Sequence, residues 1–127
     1  MAISTYQGES HRLLVEIKDG NGTVCDPDAA AFSDIRIYVV NRSTFKVVAK
    51  YSKTVQTGYT QFNVVEEPTS GDYKAECILN SSQSQEAQQG LYEIQVDLDI
   101  PDVKFEDGVQ TIRQKGILMN LNPATNG

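Results

Sequence analysis

The carboxylates are the residues of this chain best suited to chemistry. Glu93, Asp97 and Asp99 stand at alternate positions of the stretch Gly90-Leu91-Tyr92-Glu93-Ile94-Gln95-Val96-Asp97-Leu98-Asp99-Ile100-Pro101, and Asp102, Glu106 and Asp107 follow it. Hard oxygen ligands near a loop are the chemistry of Ca²⁺. A calcium loop needs alternating ligands around a tight turn, and Asp107-Gly108 is only a fragment of one. Glycoside hydrolysis by paired carboxylates needs a cleft and a fixed separation, which spacing alone does not supply. The favoured reading is a solvated acidic face, with no metal and no cofactor assigned.

Other chemistries fail for lack of parts. A nucleophile needs a base held beside it, and His11 is the single histidine, at the start of a polar-flanked strand. No Gly-x-Ser-x-Gly, phosphate-binding loop or zinc spacing occurs. Catalytic residues are therefore none, and the chain is expected not to be an enzyme. Cys25 and Cys77 are the two cysteines, without Cys-x-x-Cys spacing. Two reduced thiols are the default, and an oxidised pair, worth roughly 2–4 kcal/mol, is the alternative. Asn21-Gly22-Thr23, Asn41-Arg42-Ser43 and Asn80-Ser81-Ser82 match a glycosylation pattern, but turn chemistry explains them better. Tyr6, Tyr38, Tyr59 and Phe105 are candidates for an aromatic platform, and more simply core or strand-edge residues.

The elements that must position these groups read as strands. Tyr92, Ile94, Val96, Leu98 and Ile100 alternate with polar residues, so residues 90–101 form an extended strand with one apolar face. A strand that long needs a second layer over that face. Leu13, Val15 and Ile17 mark a strand over residues 11–18, closed by the turn Asp19-Gly20-Asn21-Gly22. Val24-Cys25 is a brief return, and Asp26-Pro27 would cap a single helical turn through Phe32. Ile35, Ile37 and Val39 face inward from the next strand. After a loop at 41–44, Phe45, Val47, Ala49 and Tyr51 share one face of the returning strand. Residues 59–65 and 72–79 add two more, the latter with Tyr73, Ala75, Cys77 and Leu79 together. Residues 109–121 make the last, bent or bulged at Gly116. A first strand or arm is expected near residues 3–9. Residues 80–90, without a large apolar residue until the next strand begins, read as a flexible loop, and 122–127 as a disordered tail.

Seven to eight short strands with turns between them argue for an all-β fold, an antiparallel β-sandwich of the immunoglobulin-like kind, with a jelly roll or small barrel as alternatives. At 127 residues this is expected to be one domain, 1–127. The net charge of −6 disfavours nucleic acid, and the basic stretches Arg42–Lys53 and Arg113–Lys115 read as solvated faces. No apolar run approaches the ~20 residues of a membrane helix. Met1–Tyr6 has no basic or hydrophobic region of a secretory signal, so a cytoplasmic protein, or one assembled into a particle, is expected.

Ser70-Gly71-Asp72-Tyr73 and Gln89-Gly90-Leu91-Tyr92 carry the Gly-x-Tyr opening of late strands in immunoglobulin-like domains. The wider layout adds Leu13-Leu14-Val15-Glu16-Ile17, a Gly-rich turn, an Asp-Pro loop and Ile35-Arg36-Ile37-Tyr38. Over roughly residues 5–120 it resembles the small immunoglobulin-like virion proteins of tailed bacteriophages, such as baseplate upper-protein N-terminal domains and head auxiliary or decoration proteins. The core tryptophan is missing and Cys25 falls after its strand, so the antibody-type disulfide is not implied. The resemblance implies a building block without an active site, in the head or in the tail and baseplate of a virion. Its partners would be other virion proteins, with homo-oligomers possible and strand edges available for pairing. The alternative is a carbohydrate- or protein-binding immunoglobulin-like module of a bacterial surface system.

Overall fold

A computed structural model describes residues 2–123. In chain order its elements are β1 (Ala2–Tyr6), β2 (His11–Val15), β3 (Ile17–Lys18), β4 (Val24–Cys25), β5 (Asp34–Asn41), β6 (Val47–Ser52), β7 (Thr60–Gln61), β8 (Asn63–Glu66), β9 (Tyr73–Leu79), α1 (Ser81–Glu86), β10 (Gly90–Pro101) and β11 (Val109–Asn122). The fold is all-β, in several sheets. One has six strands in the order β1-β11-β10-β5-β6-β7, a second is β2-β9-β8, and β3-β4 is a small ribbon.

The period-two pattern of residues 90–101 produces the central strand. Tyr92, Ile94, Val96 and Leu98 are buried, and in register beside them lie Val39, Ile37 and Ile35 of β5. Leu13 and Val15 of β2 and Ala75, Cys77 and Leu79 of β9 belong to the same apolar cluster. Each buried Leu, Ile or Val among them contributes about 1.5–3 kcal/mol, which is what holds the sheets together. Two tyrosines bring a polar end into this core and satisfy it. The Tyr51 hydroxyl, on β6, donates to the Ile78 carbonyl of β9 at 2.6 Å and so joins the two larger sheets. The Tyr92 hydroxyl donates to the Gln88 carbonyl, four residues back, at 2.7 Å. Burial raises the Tyr51 pKa and pushes that of the Cys77 thiol up to about 12. Both cysteines are free thiols.

Two irregularities change which residues face the core. On β11, three steps from Gln114 to Ile117 oppose two steps from Val96 to Ile94, so one extra residue is accommodated at the bend where Gly116 has φ +135°. This is the bulge expected at that glycine. On β6, Val40 pairs with Val47 while Val39 pairs with Ala49, which leaves Val48 as the extra residue. The expectation that Phe45 and Val47 share the inner face with Ala49 and Tyr51 is corrected here. The bulge inverts the phase, so Val48 packs against the core while Val47 and Phe45 are exposed.

Other expectations are also corrected. Among the described residues the strands number eleven rather than seven or eight, because residues 11–18 and 59–65 each break in two and β1 and β4 add their own. The pairing is not wholly antiparallel, since β1 runs parallel to β11 and β6 parallel to β7. Asp26–Phe32 is two successive turns, with Ala29 N–H on Asp26 and Phe32 N–H on Ala29, rather than a helical turn. Tyr73 begins β9 and is exposed.

Residues 80–90 are not a plain loop. Ser81–Glu86 is helical, with the Gln83 side chain accepting the Asn80 N–H at 2.9 Å. Ser84 is fully buried, accepts the Gly8 N–H at 3.0 Å and donates to the Glu9 carbonyl at 2.7 Å. Polar bonds to the β1–β2 turn do here what apolar area does elsewhere. Of the 122–127 tail, Asn122 ends β11 and residues 124–127 lie outside the described residues.

Candidate functional site

The acidic residues of β10 point away from the core, onto the outer face of the six-stranded sheet. There the register sets Asp97 between Arg36 of β5 and Arg113 of β11, and Asp99 between Asp34 and Thr111. Asp97 is only 4% exposed and accepts two bonds from Arg113, from Nε at 2.7 Å and Nη2 at 2.9 Å. Asp99 Oδ1 accepts from Arg36 Nη2 at 2.7 Å and from the Thr111 hydroxyl at 2.8 Å. Asp34 lies 3.8 Å from Arg36 Nε and accepts from Thr54 and Gln56. The hydrogen bond and charge of Asp97 raise the Arg113 pKa. Burial opposes the charge on Arg36, but Asp99, Tyr38 and Asp97 outweigh it and raise that pKa too.

This ladder corrects the picture of a solvated acidic face. Asp97 and Asp99 are committed to arginines, and a cation would have to displace them. Glu93 stands apart and accepts from Gln95 at 3.1 Å. Asp102 and Asp107 accept backbone N–H groups of their own turn, from Lys104 and Val109. Among the described residues no three His, Cys, Asp or Glu side chains form a metal-holding group. His11 opens β2 opposite Leu79. Turn chemistry accounts for Asn41, whose side-chain Oδ1 accepts the N–H groups of Ser43 and Thr44 at 2.8 and 3.0 Å.

The aromatic platform divides. Tyr38 and Tyr59 meet edge to face, ring centres 6.0 Å apart and hydroxyls 3.0 Å apart, with Lys50 Nζ 5.1 Å from the Tyr59 ring centre. Burial first, then the bond to Tyr59, pushes the Tyr38 pKa up to about 12. Tyr6 lies on β1 and Phe105 in the β10–β11 connection, both exposed.

A surface absent from the sequence reading lies on the same outer face. The β5–β6 hairpin holds Phe45 at φ +60°, the one non-glycine residue with positive φ among those described. Its ring is 78% exposed. Around it a shallow depression of about 380 Å³ is lined by Tyr38, Val40, Val47, Gln95, Arg113 and Lys115. Arg42, Glu93 and Lys115 lie along a second, adjoining depression that Phe45 also lines. A β-branched apolar residue at Val47 directly followed by another at Val48, against strict alternation, is the one trace of this phase change in the sequence.

No family model and no curated protein matches the chain. No helix among the described residues is long and apolar enough to cross a membrane.

Proposed function

We propose that the chain is a non-enzymatic virion structural protein of a tailed bacteriophage, a head auxiliary or decoration protein or a tail or baseplate component, working through protein–protein contacts as one immunoglobulin-like β-sandwich. The observation that carries the contact role is Phe45. A large apolar ring held out into water, in a backbone conformation that costs an L-residue roughly 1–2 kcal/mol, is kept by something other than folding. Val47 beside it and the cations Arg42 and Lys115 make an apolar centre with a polar rim, the composition of a contact surface.

The finer fold reading draws on strand order and on Tyr92. With β2, β9 and β8 as strands B, E and D, the sheet β11-β10-β5-β6-β7 takes the order G-F-C-C′-C″ of a variable-type immunoglobulin domain. The first strand, β1, pairs with the last strand of this sheet rather than joining β2, β9 and β8. The Tyr92 bond to Gln88 has the form of the tyrosine corner at the start of strand F. Ile94 then stands two residues on, where antibody domains carry a cysteine, which fits a sandwich that holds without a disulfide. The virion assignment draws on the resemblance of the strand layout. The arginine-neutralised ladder, which leaves Asp97 and Asp99 no free role as acid or base, supports the non-enzymatic reading.

Mass spectrometry of intact particles from the source culture, with copy number taken against the major capsid protein, tests the assignment. Hundreds of copies are expected for a head decoration protein, and tens or fewer for a tail ring, because symmetry sets copy number. Absence from particles would overturn it and move the chain to the binding-module reading.

A further inference from the structure

The long last strand is only half covered. β10 lines one side of β11 from Val109 to Leu121, but on the other side β1 reaches only Leu118–Asn122. From Val109 to Ile117 no strand occupies that side among the described residues. Beside this open edge lies a depression of about 650 Å³, between β11 and the β3–β4 ribbon. Ile94, Val96, Ile112 and Ile117 line it, all of them core or core-flanking residues. Gln114 stands among them, and its side-chain oxygen accepts the Lys18 N–H of β3 at 3.3 Å. A side chain thus answers a strand N–H where a neighbouring backbone would ordinarily do so.

We infer that this edge is a berth for an extended segment of a partner protein, which adds to the sheet beside β11 in line with β1. The edge already takes a strand of this kind, since β1 pairs with it in register over five residues. Unpaired strand N–H and C=O groups select an extended backbone. Alternate side chains of the guest would enter the depression and must be apolar to lie on Ile112 and Ile117. The intervening ones would pass over the outer face beside Lys115. Arg113 is neutralised by Asp97 and Lys18 lies 3.5 Å from Glu16, whereas Lys115 is exposed and makes no ion pair among the described residues. The guest is therefore an apolar-alternating segment with a carboxylate opposite Lys115. The bulge at Lys115-Gly116 falls within this open stretch and leaves Val109–Gln114 in regular register. The inference deepens the protein-contact reading but does not depend on the virion assignment.

The test uses the whole chain, isotope-labelled, titrated with a capped nine-residue peptide alternating valine with glutamate, and with its lysine counterpart. The glutamate peptide is expected to shift the amides of residues 109–117, slow their hydrogen exchange and leave the 41–46 hairpin unmoved. Lys115→Glu, a change at an exposed position, is expected to weaken the glutamate peptide about threefold and to favour the lysine peptide, the scale of one exposed ion pair. No response at 109–117 from either peptide, or equal responses unaffected by Lys115→Glu, would overturn the inference. Neither result bears on whether the chain is found in particles.

Discussion

Phe45 separates folding from function more sharply than any other side chain. Its φ of +60° suits glycine, and its ring buries little. Phe45→Gly should relieve roughly 1–2 kcal/mol of strain against about 0.5–1 kcal/mol of added chain entropy. The urea midpoint should therefore stay level or rise while docking to a partner is lost. A loss of more than about 1 kcal/mol of unfolding free energy would make the ring structural instead. The Asp97–Arg113 pair gives an asymmetric result. Asp97→Ala leaves a half-exposed arginine that water can serve, at a cost of about 1 kcal/mol. Arg113→Ala strands a carboxylate that is 5% exposed, at about 2–3 kcal/mol. Chemical denaturation of the two variants should rank them in that order, and the reverse order would mean that Arg36 alone satisfies Asp97.

At the level of elements, α1 depends on one hydroxyl. Ser84 links the helix to the β1–β2 turn through Gly8 and Glu9. Ser84→Ala leaves a part-buried N–H and a carbonyl without partners, which costs about 1–2 kcal/mol. Thermal unfolding should register the loss, and hydrogen exchange at Gly8 should accelerate with it. Unchanged exchange there would show that the Gln7 side-chain bond to Ala87, 2.7 Å long, holds the junction unaided. Polar anchoring of this type leaves no apolar period behind, and residues 80–90 read as a loop for that reason. The bulge at Gly116 was legible because a glycine marks it. The bulge at Val48 was not, because valine fits either phase and only the pairing with β5 selects one.

For the whole molecule, the buried acids set the response to alkali. Unfolded, Cys77 and Tyr51 release protons near the ordinary values of 9 and 10. In the native state burial holds the thiol proton to about pH 12 and raises the phenol pKa as well. The native state therefore binds more protons in this window, and stability falls as pH rises through it. The slope approaches about 1.4 kcal/mol per pH unit for each group. Urea midpoints at pH 8, 9.5 and 10.5 should fall progressively, and Cys77→Ala should remove the part that begins near pH 9. A flat profile would mean that water reaches the thiol in the native state.

Alternation in residues 90–101 and in the strands at 34–41 and 73–79 was enough to predict an all-β chain and most of its core, because a period of two is a local property that any sheet must bury on one side. Tertiary structure decided the rest, and each case turns on a neighbour distant in sequence. Arg113 and Arg36 converted an apparent acidic face into a neutral ladder. Val40 and its strand turned Phe45 outward. The short reach of β1 left half of β11 open. Charge, phase and edge exposure are properties of pairs of strands, and one strand's residues cannot specify them until its partners are in place.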